Sequence, residues 1–310
     1  MGENSMKDLL GEILLNVEKK QMSPLEAFET IERLKNHENL ADGQDNPGGI
    51  NNHTLIRTFV FDEPFLKDHQ GDNPFDENSN NRVLLGVTHC GLAIEAWRKF
   101  YPQDSLMGIH KLLFSTPVTL YPGELVEVKV NPAEESKASF FTVTFKKSAE
   151  SGYTEAAAGQ FVNKDIPSSF VIDISSLKTR SKKVIPFAGI YVKKESVRGI
   201  ALKTVQRIWG GEEEVLAELR LTPEMIDSSY SYHTHPALID GSFMASFFVL
   251  PEEQPSKGVW IPFMIKEIYS YGPLPPHCYC LIKLVNRNSE VMRVDVSFCN
   301  EKGEVLLVLE

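Results

Sequence analysis

Apolar residues recur along this chain in two rhythms. Near the N-terminus Leu9, Leu10, Ile13, Leu14 and Val17 repeat at helical spacing, and after a break at Gln21 and Met22 a second set follows, Leu25, Phe28, Ile31 and Leu34. Ser23, Pro24 and Glu26 give the second set a helix start: a cap residue, Pro at the first helical position, and Glu three residues after the cap. The pattern predicts a helical hairpin over residues 6–37, either packed on the main body or acting as a linker or docking segment. Asn36 to Asn52, rich in Asn, Asp and Gly, reads as a hinge.

From His53 the period shortens to two. Strands are expected over His53–Phe61 and Pro64–His69, an amphipathic helix over Gly86–Phe100, and strands around Leu106–Phe114, Glu124–Val130, Ser139–Lys146 and Glu155–Val162. A polar linker, Ser175–Lys183, then precedes a repeat of the same plan. Strands are expected around Val205–Trp209 and Val215–Leu221, and a helix over Pro236–Val249. Further strands follow through Val259–Ser270, Cys278–Val285, Val291–Asn300 and Val305–Leu309. Two copies of a long helix set against antiparallel strands make a duplicated α+β plan. The divisions fall at 1–45 for the helical segment, 46–173 for the first half and 174–310 for the second.

Composition narrows the function. The chain has 310 residues, 42% of them hydrophobic and 10% aromatic, enough to fill a sizeable core. A formal net charge of −10 sets it against nucleic acid, which requires a basic footprint. The basic run Lys178–Lys183 reads as a solvated loop. No apolar stretch is long enough to span a bilayer, and no secretion-signal pattern opens the sequence, so the expected compartment is the cytoplasm. Cys90, Cys278, Cys280 and Cys299 form no disulfide framework. The run His277, Cys278, Tyr279, Cys280 lies in an alternating stretch of core character, and the His233/His235 pair has no Cys or carboxylate at ligand spacing, so no metal site is expected.

Two segments carry chemistry: Phe65, Leu66, Lys67, Asp68, His69 ahead of the first long helix, and His235, Pro236, Ala237, Leu238, Ile239, Asp240 opening the second. Together they resemble the dehydratase domains of modular polyketide synthases, where the His of a DH dipeptide and the Asp of an HPALLDxxxQ-like segment form a dyad. The resemblance spans roughly residues 53–310, and the string VLLGVTHCGLAIEAW is similar to dehydratase-like domains of trans-acyltransferase assembly lines. It implies a double hotdog fold, two antiparallel sheets each wrapping a long helix, with His69 and Asp240 facing each other across one tunnel. It also implies an acyl carrier protein as partner, neighbouring polyketide synthase domains, and no cofactor other than the phosphopantetheine that arrives as part of the substrate. Homodimerisation stays open.

In that frame His69 is the base that takes a proton next to a thioester carbonyl. Main-chain N–H groups at Gly86 and Val87 stabilise the enolate oxygen, and glycine lets the thioester approach closely. Asp240 is the opposing acid. Five departures from the dehydratase pattern stand out. Gln70–Arg82 is an Asp/Asn-rich insertion, and the motif's closing Pro is Leu85. The YGPxF stretch reads Arg198, Gly199, Ile200, Ala201, Leu202, and the LPFxW stretch reads Ile261, Pro262, Phe263, Met264, Ile265. The Gln or His four residues after the catalytic Asp is Met244. A thioether there cannot orient a carboxyl or a leaving water. The combination is similar to the enoyl-isomerase, or double-bond-shifting, subtype. A 3-hydroxyacyl dehydratase, a pyran-forming cyclase and a non-catalytic docking domain are the alternatives. His235 is expected to tether a helix entrance, His89 and Cys90 to pack within a helix, and Trp260 and Phe263 to fill the core. His37, His53 and His110 have no supporting neighbours in the sequence.

Overall fold

The computed structural model describes residues 54–67, 69, 81–103, 107–132, 139–147, 152–163, 165–192, 202–211, 213–229, 232–249, 262–288 and 291–310. The chain divides into two compact units, Met1–Asn52 with Asn286–Arg293, and His53–Val285 with Val294–Glu310. In the first, Asn288 and Val291 close a turn, the Asn288 N–H donating to the Val291 carbonyl (2.9 Å) and the Val291 N–H to the Asn288 side chain (2.7 Å). The helical hairpin expected over 6–37 lies outside the described residues, as does most of the Asp/Asn-rich insertion.

From Leu55 the chain runs β1 (Leu55–Val60), α1 (Pro64–Lys67), β2 (Arg82–Val83), α2 (Thr88–Phe100), β3 (Met107–Phe114), β4 (Thr119–Leu120), β5 (Leu125–Pro132), β6 (Ser139–Lys147) and β7 (Thr154–Val162). After α3 (Ile174–Arg180), β8 (Lys183–Pro186) and α4 (Phe187–Val192) come β9 (Val205–Gly210), β10 (Glu214–Arg220), α5 (Pro223–Ser229) and α6 (Pro236–Ser246). A 3₁₀ turn (Phe247–Val249), β11 (Met264–Ser270), β12 (His277–Arg287), β13 (Met292–Cys299) and β14 (Val305–Leu309) complete it. Twelve strands join in the order β1-β5-β6-β7-β3-β11-β14-β13-β12-β10-β9-β8, while β2 and β4 pair separately. Strands of the first half fill one end of the sheet and strands of the second half the other. They meet where β3 pairs antiparallel with β11, from Met107 opposite Ser270 to Leu113 opposite Met264. The two sheets of the double hotdog are thus continuous through one seam. His110 and Glu267 face each other across it, with Nε2 and Oε2 2.7 Å apart, so His110 does have a partner that its sequence neighbours do not reveal.

Each half wraps one helix. Helix α2 lies on β1, β3 and β5 and buries Thr88 through Ile94, Ala96 and Trp97. Trp97 packs between Tyr101 and Phe161, with ring centroids 4.4 and 5.3 Å away, and Phe161 stacks on Phe141 at 4.2 Å. Helix α6 lies on β9 and β10 and buries every residue except Phe243, the pattern of a helix with no solvent face. Its approach to the strands needs glycine. A Cβ on Gly241 would stand 2.2 Å from Thr204 Oγ1 and 3.2 Å from Leu219 Cδ2. That Thr204 hydroxyl donates to the Ala237 carbonyl (3.1 Å), pinning the helix start. His235 caps α6, its Nδ1 accepting from the Ala237 N–H (3.2 Å), and Pro236 occupies the first turn, where no N–H is needed.

Two expected elements differ. Pro64–His69 is not a strand: Pro64–Lys67 forms a helical turn in which Leu66 and Lys67 donate to the Glu63 carbonyl (2.9 and 2.8 Å). Adjacent Phe65 and Leu66 are both buried, whereas a strand would point them to opposite faces. The polar linker Ser175–Lys183 contains α3, started by Asp173, whose carboxylate accepts from the Ser176 N–H (2.8 Å), and anchored by buried Leu177.

Gly241→Ala should destabilise the protein by about 1–3 kcal/mol through overpacking, read as a lower midpoint in urea; an unchanged midpoint would contradict the close approach. The His235 cap requires an unprotonated ring, and burial, reinforced by the Arg57 charge, pushes that imidazole from 6.5 down to about 4. The unfolded chain therefore binds the proton first. The contribution is full above pH 6.5 and disappears as pH falls toward 4, by about 3 kcal/mol. In thermal melts between pH 7.5 and 4.5, His235→Asn, a cap that does not titrate, should lose less stability than the parent chain; equal losses would refute the linkage.

Candidate active site

His69 follows the α1 turn directly, its N–H donating to the Leu66 carbonyl (2.9 Å). Its own carbonyl accepts from the Val83 N–H (3.1 Å), and its ring Nδ1 lies 2.5 Å from the Val83 carbonyl oxygen. A carbonyl only accepts, so Nδ1 is the donor. In the neutral ring Nε2 then carries the lone pair and is the nitrogen able to take a proton. Val83 sits on β2, and its neighbour Arg82 spans Phe61, bonded to that residue's carbonyl and stacked 3.7 Å from its ring centroid. Asp68 lies outside the described residues.

Gly86 and Val87 lead into α2. The N–H groups of Thr88, His89 and Cys90 turn back to the carbonyls of Leu85, Gly86 and Val87 (2.9, 3.0 and 3.1 Å). Val87, the N-cap, has helical angles and supplies no side-chain cap. Among the described residues the N–H groups of Gly86 and Val87 have no acceptor, the usual state of a helix start that awaits one. A Cβ on Gly86 would come no nearer than 3.8 Å to the Phe114 ring, so nothing among the described residues demands glycine there.

Asp240 and Met244 stand one turn apart on α6, 5% and 6% exposed, so the thioether and the carboxyl share a buried helix flank. Phe65, four residues before His69, joins the two segments. Its ring meets His235 edge-on at 6.1 Å and Tyr232 at 6.2 Å, and Tyr232 lies 5.0 Å from His235. Helix α2 meets the same loop, since a Cβ on Gly91 would stand 3.0 Å from the Thr234 carbonyl. The turn that leads to His69, the start of α2 and the start of α6 therefore converge on one region.

Sequence reasoning missed the polar groups that brace this junction. Arg57 lies over the Tyr232 ring (4.1 Å) and 3.6 Å from Glu95, and burial raises the Glu63 and Glu95 carboxyls while the Arg57 charge opposes the rise. No local signal links Arg57 to Tyr232, because only the fold brings them together. His233 and His235 turn apart: His233 Nε2 lies 3.3 Å from Ser270 Oγ, and His235 caps the helix. His277 lies between the carboxylates of Glu218 (3.1 Å) and Glu301 (2.7 Å), and Cys278 and Cys280 are buried core thiols.

Comparison with known proteins gives this geometry its context. Residues 187–310 match the family described as polyketide synthase dehydratase N-terminal domain. Polyketide synthase PksR of Bacillus subtilis is 25% identical over 87% of this chain, which spans about a tenth of that protein's length. Among solved structures, a trans-acyltransferase polyketide synthase enoyl-isomerase superposes with a TM-score of 0.68 at 22% identity, covering 83% of this chain and 97% of its own. A monomeric dehydratase domain from a trans-acyltransferase polyketide synthase split module gives 0.71 at 20% identity, covering 83% and 96%. With its two helix-wrapping sheet halves and its His- and Asp-bearing segments meeting at one junction, the chain has the double hotdog fold of these dehydratase-like domains.

Proposed function

We propose that the protein is an enoyl isomerase that moves an α,β double bond to the β,γ position in an acyl thioester presented by an acyl carrier protein. Met244 carries this reading. It stands buried beside Asp240 at the position where the resemblance places a hydrogen-bonding Gln or His, and it offers a leaving water no donor. Expelling water depends on a well-oriented acid, whereas shifting a double bond needs one base. His69 Nε2 removes a γ-proton, the N–H groups of Gly86 and Val87 receive the charge developing on the thioester oxygen, and the same imidazolium returns the proton to the α-carbon. The two carbons lie about 2.5 Å apart by covalent geometry, within reach of one ring. No atom is gained or lost by substrate or enzyme.

A second reading, a 3-hydroxyacyl dehydratase, draws on Asp240, which is retained and buried on the flank that closes the junction. Both readings use the same thioester and the same base, and in both the partners are a carrier protein and the neighbouring domains of a multidomain synthase.

Proton NMR of the protein with a 2-enoyl pantetheine thioester in deuterated water should show 3-enoyl signals and deuterium at the α and γ carbons, both reduced at least about 100-fold by His69→Ala. Hydration to the 3-hydroxyacyl product without a double-bond shift would establish the dehydratase instead. Under the isomerase reading, Met244→Gln should raise hydration of the 2-enoyl thioester, and a variant no better than the parent would show that this side chain does not set the outcome. Nitrogen NMR of the imidazoles should find His69 as the Nδ1–H form at pH 8; the Nε2–H form would remove the base.

A further inference from the structure

His89 takes no part in the proton transfer described above, yet it stands beside the atoms that would hold the substrate oxygen. It lies in the first turn of α2, and its N–H returns to the Gly86 carbonyl (3.0 Å), so His89 and Gly86 occupy one flank of the helix start. That flank faces Phe114. The His89 ring is 6.4 Å from the Phe114 ring at a tilt of 34°, and a Cβ on Gly86 would meet the same ring at 3.8 Å. The residue is 2% exposed, and neither ring nitrogen has a hydrogen-bonding partner among the described residues. Thr88 Oγ1, next to it, is also buried without a partner. Buried polar atoms are almost always paired in native proteins, so a lone imidazole at this place needs a reason.

The ring's protonation can be worked out. Burial holds it down to about 4, so it is uncharged at neutral pH and bears one hydrogen. Nδ1 is sealed within the protein, and an unpaired acceptor is tolerated in such a place better than an unpaired N–H. The hydrogen therefore sits on Nε2, the ring nitrogen that is not sealed off. An uncharged imidazole in the first turn of a helix is well suited to polarising a carbonyl, because it offers a fixed N–H without a net charge that has to be desolvated.

We propose that His89 is a catalytic residue whose Nε2–H donates to the thioester carbonyl of the bound acyl group, beside the main-chain N–H groups of Gly86 and Val87. The assignment rests on the acyl-thioester reading of the site but not on whether that site isomerises or dehydrates. His89 keeps its proton throughout, and the proton that moves is the one carried by His69.

The test uses the full chain with His69→Gln, which holds the ligand unreacted, and a 2-enoyl pantetheine thioester labelled with carbon-13 at the carbonyl. The bound carbonyl should resonate downfield of the free one. His89→Phe, which keeps a ring against Phe114, should remove at least half of that displacement, and His89→Gln, which restores a donor at similar reach, should recover it. In otherwise unaltered protein, His89→Phe should lower kcat about 100-fold with KM little changed. Thermal melts show whether the variants fold. Should His89→Phe fail to, the Nε2–H proton of His89 in nitrogen-15 protein with His69→Gln provides the reading, and it should move downfield on saturation. A displacement that survives His89→Phe, or an Nε2–H signal indifferent to ligand, overturns the assignment. A displaced carbonyl that depends on His89, in a protein that fails to isomerise, sinks the isomerase and leaves His89 in place. Absence of any bound signal at saturating ligand defeats both.

Discussion

Two helices buried on nearly every side must satisfy their ends without water, and that requirement shapes the molecule. At the start of α6 the protein meets it internally: His235 accepts one N–H, Pro236 removes another, and Thr204 ties down the Ala237 carbonyl. At the start of α2 it does not. Val87 supplies no cap, and the N–H groups of Gly86 and Val87 find no acceptor among the described residues. Val87 is buried and Gly86 half-buried, and a buried donor left unsatisfied costs about 1–3 kcal/mol. The inequality between two otherwise comparable helix starts is the asymmetry on which the proposed oxygen-binding role of Gly86 and Val87 rests.

His69 is held by the same economy of bonds. His69 touches Val83 through both its main chain and its ring, and one carbonyl fixes which nitrogen bears hydrogen. Asp240 arrives on α6, whose approach to the strands is set at Gly241 against Thr204 and whose cap, His235, meets the Phe65 ring. His69, the N–H groups of Gly86 and Val87, and Asp240 thus come from three separate stretches of chain, locked by aromatic edges and a helix cap.

Much of this could be read from the sequence. The HPALID string located α6 and its cap because a His–Pro entry has few structural meanings, and the alternation from Ser139 to Val162 gave β6 and β7 nearly to the residue. The short pair Phe65–Leu66 misled, since two adjacent apolar residues suit a strand or a single helical turn equally well and only tertiary burial decides. Helix α3 hid in a polar run because one Asp cap and one buried Leu were enough to form it. Contacts between distant stretches were illegible: His110 with Glu267, Arg57 with Tyr232, and His69 with Val83, which a long insertion separates. His89 was legible as a buried helix position, while its lack of a hydrogen-bonding partner among the described residues was not.

The seam between the halves has a further consequence. Since β3 and β11 exchange main-chain bonds along their length, with Phe114 also donating to the Phe263 carbonyl, the two lobes cannot swing apart like jaws without tearing a ladder of backbone bonds. Along that line the halves form one stiff body, welded where a hinge could have been.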